Sequence, residues 1–284
     1  MAEVACLDHV GIVGRDLAAM LAAYRRLGFL PTQPQPLMGR DASGVAVSLG
    51  QSSAHLVFER GYVELSAVET DSPTHHLASY LGRHAGLHIL AFGVDDVGAA
   101  HERCIAAGLR PRPVAHASRH IGYGKRHGEA EFEWFMLEPI VAPEGLLCFV
   151  RQVTPQLVFQ PEVQRHTNGA LALSGLYLVS AAATDAASRI AAATAGALLR
   201  SATSARVELR DGWVECLDRA EFQRRFPGAE PPPAPSLAGF CVRAREPQAL
   251  RDSLRRSGLV ARPTGTGCWI DGADAAGSLV EFAG

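Results

Sequence analysis

The chain has 284 residues, 48% of them hydrophobic and 20% charged, with a formal net charge of −2. That length suggests two domains able to bury cores without disulfides or structural zinc, and the balanced charge speaks against nucleic acid or a membrane surface as partner. A small molecule is the expected partner. The six cysteines are scattered, with no Cys-x-x-Cys pair, and read as reduced, buried thiols. No basic stretch leads into an apolar segment at the start, and no apolar run reaches roughly 18 residues, so a cytoplasmic protein is expected.

In chain order, Ala5 to Val13 reads as a strand, and Asp16 opens a helix whose Leu17, Met20, Leu21, Tyr24 and Leu27 return at helical spacing until Gly28 stops it. Strands are expected around Val45 to Leu49, around His55 to Phe58, and from Tyr62 to Val68. The order then repeats: strand Leu87 to Val94, helix Val97 to Ala107, Gly108, and strands near Arg110 to Val114, Ala130 to Leu137 and Leu146 to Val153. A third run has strand Leu171 to Val179, helix Ala186 to Ala195, and strands near Ala205 to Arg210 and Gly212 to Leu217. The fourth has strand Phe240 to Ala244, a helix from Pro247 to Ser257 that starts on proline at no hydrogen-bond cost, and strands ending in Ser278 to Phe282. The pattern predicts an α+β protein of four β-α-β-β-β modules. Residues 1–153 form a first domain, 154–169 a linker and 170–284 a second domain. A further linker, Pro227 to Pro235, contains three consecutive prolines and should be extended.

Two modules open their first strand with a histidine, Leu7-Asp8-His9-Val10 and Leu87-His88-Ile89-Leu90. Gly28 stands 19 positions after His9 and Gly108 stands 20 after His88. Leu176 and Ala238, each 20 positions before Gly196 and Gly258, take that place in the other two modules. The last strands align as Tyr62-Val63-Glu64-Leu65, Leu146-Leu147-Cys148-Phe149, Trp213-Val214-Glu215-Cys216 and Leu279-Val280-Glu281-Phe282, so three of the four carry glutamate third.

These paired modules, together with His166-Thr167-Asn168-Gly169-Ala170, resemble the vicinal oxygen chelate superfamily of glyoxalases, bleomycin resistance proteins and extradiol dioxygenases, and within it the glyoxalase-like domain family. The resemblance implies two open, cupped sheets, the first holding a divalent ion (Zn, Mn, Fe, Ni or Mg) through His9, Glu64 and His88. It also implies a metal-dependent isomerase or lyase acting on a small oxygen-chelating metabolite. An extradiol-type dioxygenase and a metal-free binding or resistance protein are the alternatives. Cys148 departs from the family pattern and reads as a structural thiol. The second barrel has no histidine pair, so it is expected to be structural or dimerising, which leaves a homodimer open. Its Glu215 and Glu281 are expected to pair with arginines such as Arg206, Arg210 or Arg243.

Three other groups of residues are candidates. The tract from His116 to His127, with Arg119, His120, Tyr123, Lys125 and Arg126, reads either as a solvated basic loop or as a loop over the cup mouth that holds an anionic substrate. Arg126 is the expected substrate contact, with Tyr123 beside it. His166 and Asn168 at the domain junction read either as a turn or as a general base and a substrate hydrogen-bond donor. His75 and His76 are expected to face solvent.

Overall fold

A computed structural model describes residues 3–40, 46–73 and 75–284. In the first half, the strand β1 (Cys6–Gly14), the helix α1 (Leu17–Arg26) and the strands β2 (Gln35–Arg40), β3 (Ala46–Val57) and β4 (Tyr62–Val68) form one module. After a one-turn helix, α2 (Ala78–Leu81), come β5 (Gly86–Gly93), α3 (Val97–Ala106), β6 (Ala115–Ile121), β7 (Gly128–Met136) and β8 (Leu146–Gln152). Their sheet order is β2-β3-β4-β1-β5-β8-β7-β6: two four-stranded halves joined along the antiparallel β1–β5 pair. A strap follows, beginning with α4 (Pro155–Val158).

The second half repeats the plan with β9 (Ala170–Val179), α5 (Ala183–Thr194), β10 (Ala197–Arg200), β11 (Ser204–Glu208) and β12 (Trp213–Leu217). It continues with an inserted helix α6 (Arg219–Arg225), then β13 (Ser236–Ala244), α7 (Pro247–Arg256), β14 (Arg262–Pro263), β15 (Gly267–Ile270) and β16 (Leu279–Ala283). Its order is β10-β11-β12-β9-β13-β16-β15-β14. The four modules and their pairing are those the sequence predicts. Among the described residues, no helix is long and apolar enough to cross a membrane.

The long helices of the first half start where the sequence provides an acceptor. Asp16 accepts from the Ala19 N–H and Asp96 from the Ala99 N–H, both at 2.9 Å, each satisfying an end amide that has no helical partner. Gly28 leaves α1 at φ +82°, a conformation that glycine adopts without strain. The faces of the two sheets opposite the cups meet in one buried cluster, in which Val10, Ile12 and Leu90 share a core with Leu176, Phe240 and Val242. Fully burying each such side chain contributes about 1.5–3 kcal/mol. Across this core, Phe29 stacks on Phe282 at 5.7 Å and the Tyr24 hydroxyl donates to the Ala275 carbonyl at 3.2 Å.

Strand boundaries depart from expectation mainly at the sheet edges. β2 was not expected, because Pro36 and Gly39 break its pattern; as an edge strand it tolerates both. The segments expected near Val45 to Leu49 and His55 to Phe58 are one strand, β3, with Val45 itself outside the described residues. The edge strand β6 runs from Ala115 to Ile121 instead of Arg110 to Val114, so much of the histidine-rich tract is strand and not loop.

Candidate functional site

Strand register places the inner face of the first cup. His9 pairs with Tyr62 on one side and Ala91 on the other, and Gly11 pairs with Glu64 and Ile89. Across β3, His55 lies opposite Glu64. On the far wall, Ala91 adjoins Cys148, Cys148 adjoins Met136, and Val150 adjoins Trp134. The cup therefore has a polar wall (His9, His55, Tyr62 and Glu64) facing an apolar wall (Ile89, Val150, Phe132, Trp134 and Met136).

On the polar wall, a register shift in β1 between Leu7 and His9 sets Asp8 beside the His9 ring. The His9 Nδ1 lies 2.7 Å from Asp8 Oδ1, and Gln152 holds the same carboxylate through its Nε2 at 3.2 Å. With Asp8 accepting, Nδ1 carries the proton and Nε2 presents its lone pair. The His9 ring also stacks on Tyr62, with centroids 4.4 Å apart and planes 13° from parallel. Glu64 is fixed by Ser66, whose hydroxyl donates to Oε1 at 2.6 Å while accepting from Gln51 Nε2 at 2.9 Å.

Arg119 enters this wall from β6. It donates to the buried His55 Nε2, and its guanidinium carbon lies 5.8 Å from the Tyr62 ring centroid. Burial, the Arg119 charge and His9 all press the His55 pKa well below its usual value, so this imidazole is a neutral acceptor. Burial alone would lower the Arg119 pKa, but the facing Tyr62, Glu64 and Tyr123 outweigh it and hold the guanidinium charged. Tyr123 is buried, its ring 6.4 Å from His55, and its hydroxyl donates to the Val158 carbonyl at 3.3 Å. Burial, Asp8 and Glu64 raise the Cys148 pKa, so Cys148 faces the cup as a neutral thiol, as expected of a structural cysteine.

His88 does not join this group. Its Nε2 lies 2.8 Å from the His84 carbonyl, its ring sits 4.1 Å from that of His84, and burial drives its pKa down to about 4. The reason is a one-residue offset. His9 lies seven residues before the helix cap Asp16, and the residue seven before Asp96 is Ile89. The last strands agree: Glu64 pairs two residues past His9, and Cys148 pairs with Ala91, two past Ile89. His88 is one position early, at the extra residue of a bulge in β5 between the Gly11–Ile89 and Ile12–Leu87 pairs, where its ring turns to His84 and Tyr80 instead of to His9. The same count replaces Leu176 and Ala238 with Gly175 and Gly239 as the positions equivalent to His9.

The expected His9, Glu64 and His88 metal face is therefore corrected to two donors, His9 and Glu64. Among the described residues, no group of three or more His, Cys, Asp or Glu side chains stands together as a metal site. A charged guanidinium also lies near Glu64, where an ion would need to sit. The residues as arranged do not fit a three-ligand divalent ion.

Three other expectations are corrected. Arg126 is exposed in the β6–β7 turn, where its backbone N–H donates to Gln160 Oε1 at 2.8 Å and its carbonyl accepts from Gln160 Nε2 at 2.8 Å. The His166 ring is locked outside the cup: Nδ1 accepts from the Leu30 N–H at 3.0 Å and Nε2 lies 2.9 Å from the Val57 carbonyl, between Phe29 and Phe58. Asn168 donates to the Leu27 carbonyl and accepts from the Ala170 N–H, both at 3.0 Å, so it is a turn residue. The residues missed were Asp8 and His55, and within the basic tract it is Arg119, not Arg126, that enters the cup. Alternation in Ala117-Ser118-Arg119-His120-Ile121 was the available signal, since it puts Arg119 on the face of Ala117 and Ile121.

The second cup is filled. Phe226, at the end of α6, packs against Tyr177, Phe222 and Trp269 with centroids 5.0, 5.1 and 5.5 Å away. Glu215 pairs with Arg225 through two bonds of 2.5 and 2.8 Å, and the Tyr177 hydroxyl donates to Glu281 at 2.5 Å. The expected partners are thus corrected to Arg225 and Tyr177, while Arg206 pairs with Glu208 and Arg210 with Asp95.

The model of the glyoxalase-like domain matches residues 7–194, the whole first cup and the start of the second. The chain belongs to the glyoxalase-like domain family. Among solved structures, a hypothetical protein from Staphylococcus aureus superposes with TM-score 0.65 at 7% identity, over 97% of this chain and 98% of that one. The Mn(II)-bound glyoxalase from Novosphingobium aromaticivorans gives 0.58 at 13%, over 99% and 82%. A mutant of 4-hydroxymandelate synthase from Streptomyces coelicolor gives 0.57 at 15%, over 93% and 78%. At these identities the likeness shows the fold, that of the vicinal oxygen chelate superfamily. No curated protein sequence matches the chain.

Proposed function

We propose that this glyoxalase-like protein is an isomerase or lyase that moves a proton on a small oxygenated metabolite bound in the first cup. The Asp8–His9 pair at 2.7 Å carries this reading, because a carboxylate on Nδ1 sets the tautomer and stabilises the imidazolium that forms when Nε2 takes a proton. The same Nε2 then returns the proton to a neighbouring atom of the substrate, while Glu64, two residues along the same wall, accepts a hydrogen bond from a substrate hydroxyl. Apolar residues opposite exclude water from the transfer.

A divalent ion is a property of the Mn(II)-bound glyoxalase, and the donor set here does not supply a third ligand for one. Dioxygenase chemistry needs the same missing ligand face, so we place it behind proton transfer. Binding without turnover is the second reading, favoured by the strap across the cup, where Phe159 lies 6.2 Å from Tyr62.

The test is deuterium exchange. A panel of 2-hydroxy aldehydes, ketones and acids is incubated in D2O with wild type, His9→Ala and Glu64→Gln, with and without a chelator. We expect carbon-bound deuterium with wild type, insensitive to chelator and lost in His9→Ala. Exchange abolished by chelator and restored by Mn(II) would restore the metal-dependent reading. Binding of a panel member with no exchange, equal in wild type and His9→Ala, would leave a binding protein.

A further inference from the structure

We infer that Arg119 is the anchor for a substrate carboxylate, so that the first cup takes small monocarboxylates with an apolar, ring-sized body. This rests on the first cup being the active site. Two observations carry it. First, the Arg119 guanidinium is inside the cup, and its Nε is buried with no hydrogen-bond partner among the described residues. A buried N–H left unpaired is costly, and more so on a charged group, so an acceptor that meets it is recovered as binding free energy. Among the described residues, no carboxylate lies within ion-pair distance of Arg119; Glu64 is near enough to act on its charge but is held by Ser66, and Asp8 is taken by His9 and Gln152. The planar fork of a guanidinium matches a carboxylate with two parallel bonds, which an ammonium cannot do.

Second, the rest of the cup specifies the body of the ligand. Strand pairing carries the inner face from Arg119 and Ala117 on β6 to Phe132 and Trp134 on β7, and on to Val150 on β8. Phe132, Trp134 and Met136 remain partly exposed beside the buried Ile89, Val150 and Cys148, an apolar surface continuous from the guanidinium to the His9 wall. A flat apolar group lies against those rings with its carboxylate on Arg119.

The probes are phenylacetate and its neutral isostere 2-phenylacetamide, titrated into the full chain by calorimetry and by NMR of the histidine rings, with the His9 signal assigned through His9→Gln. Phenylacetate should bind at least about 10-fold more tightly than the amide, as expected for one charge-assisted pair, and should shift the His9 signal. Arg119→Met should erase that preference, and Arg119→Lys should keep only part of it. Equal affinities in wild type, with His9 shifted by both probes, would overturn the carboxylate assignment and leave the cup as the ligand site. A preference for phenylacetate that survives in Arg119→Met would also overturn it, as would no binding of either probe. Binding that leaves His9 unshifted would place the ligand outside the cup and sink the proton-transfer reading as well. If Arg119→Met fails to fold, the wild-type comparison and Arg119→Lys still decide.

Discussion

Replacing His166 with alanine should cost stability and spare turnover. Its ring is 8% exposed and bridges two segments, accepting from Leu30 N–H and donating to Val57 C=O, so alanine strands one donor and one acceptor. Leu30 lies at the surface and its amide regains water, placing it near the low end of the roughly 1–3 kcal/mol scale; the Val57 carbonyl, beneath Phe58, takes the upper end. The expected loss is about 3–4 kcal/mol, a large part of a total near 5–15 kcal/mol. Urea unfolding followed by tryptophan fluorescence and circular dichroism measures it. His166→Phe, which keeps ring packing and removes both bonds, should fall between wild type and alanine. Burial lowers the His166 pKa below 6.5, partly offset by its bond to Val57, so the folded state prefers the neutral ring. That contribution is fully present above pH 6.5 and declines as pH falls toward the folded value, a dependence absent from His166→Phe. A stability change under about 1 kcal/mol together with lost turnover would show that the ring serves the reaction and that the structural assignment is wrong.

Burial also holds the His88 ring neutral, with its pKa down at about 4, so the stability gap between wild type and His88→Gln should be widest above pH 6.5 and shrink toward pH 4; a gap constant with pH would contradict this. Asp8→Asn should lower kcat of the proton transfer by about 10²–10⁴-fold with little change in KM, since it spoils the tautomer of His9 and leaves the apolar wall intact; a pure KM effect would argue against base catalysis. Phe226→Ala, at the centre of the plug in the second cup, should lower stability by about 3–5 kcal/mol in urea titration, whereas an unchanged midpoint would mean the plug is loosely held. Gln160→Ala removes the side chain whose four bonds clasp the strap to the β6–β7 hairpin, so limited proteolysis should cut within residues 154–169 faster than in wild type, and equal rates would refute the clasp.

The local periods of the sequence determine the elements, because helix caps, apolar spacing and stop glycines act within a few residues. They set the fourfold module order and the third position of Glu64, Cys148, Glu215 and Glu281 in their strands. The face on which a strand residue points is less secure, since its sign reverses with every step. Gly28 and Gly108 hinted at the offset by standing 19 and 20 positions after their histidines, and the structure turned that single residue into the difference between a donor in the cup and a ring bonded to His84. Arg119 and His55 are 64 residues apart on strands that are not neighbours, and only the curling of eight strands brings them together. No local period encodes that closure, and neither does any local signal show that α6 folds back into the second cup. Sequence alone determined which chemical groups the chain carries; tertiary structure decided which of those groups share a pocket, because contact across a curved sheet depends on register and closure summed over many strands.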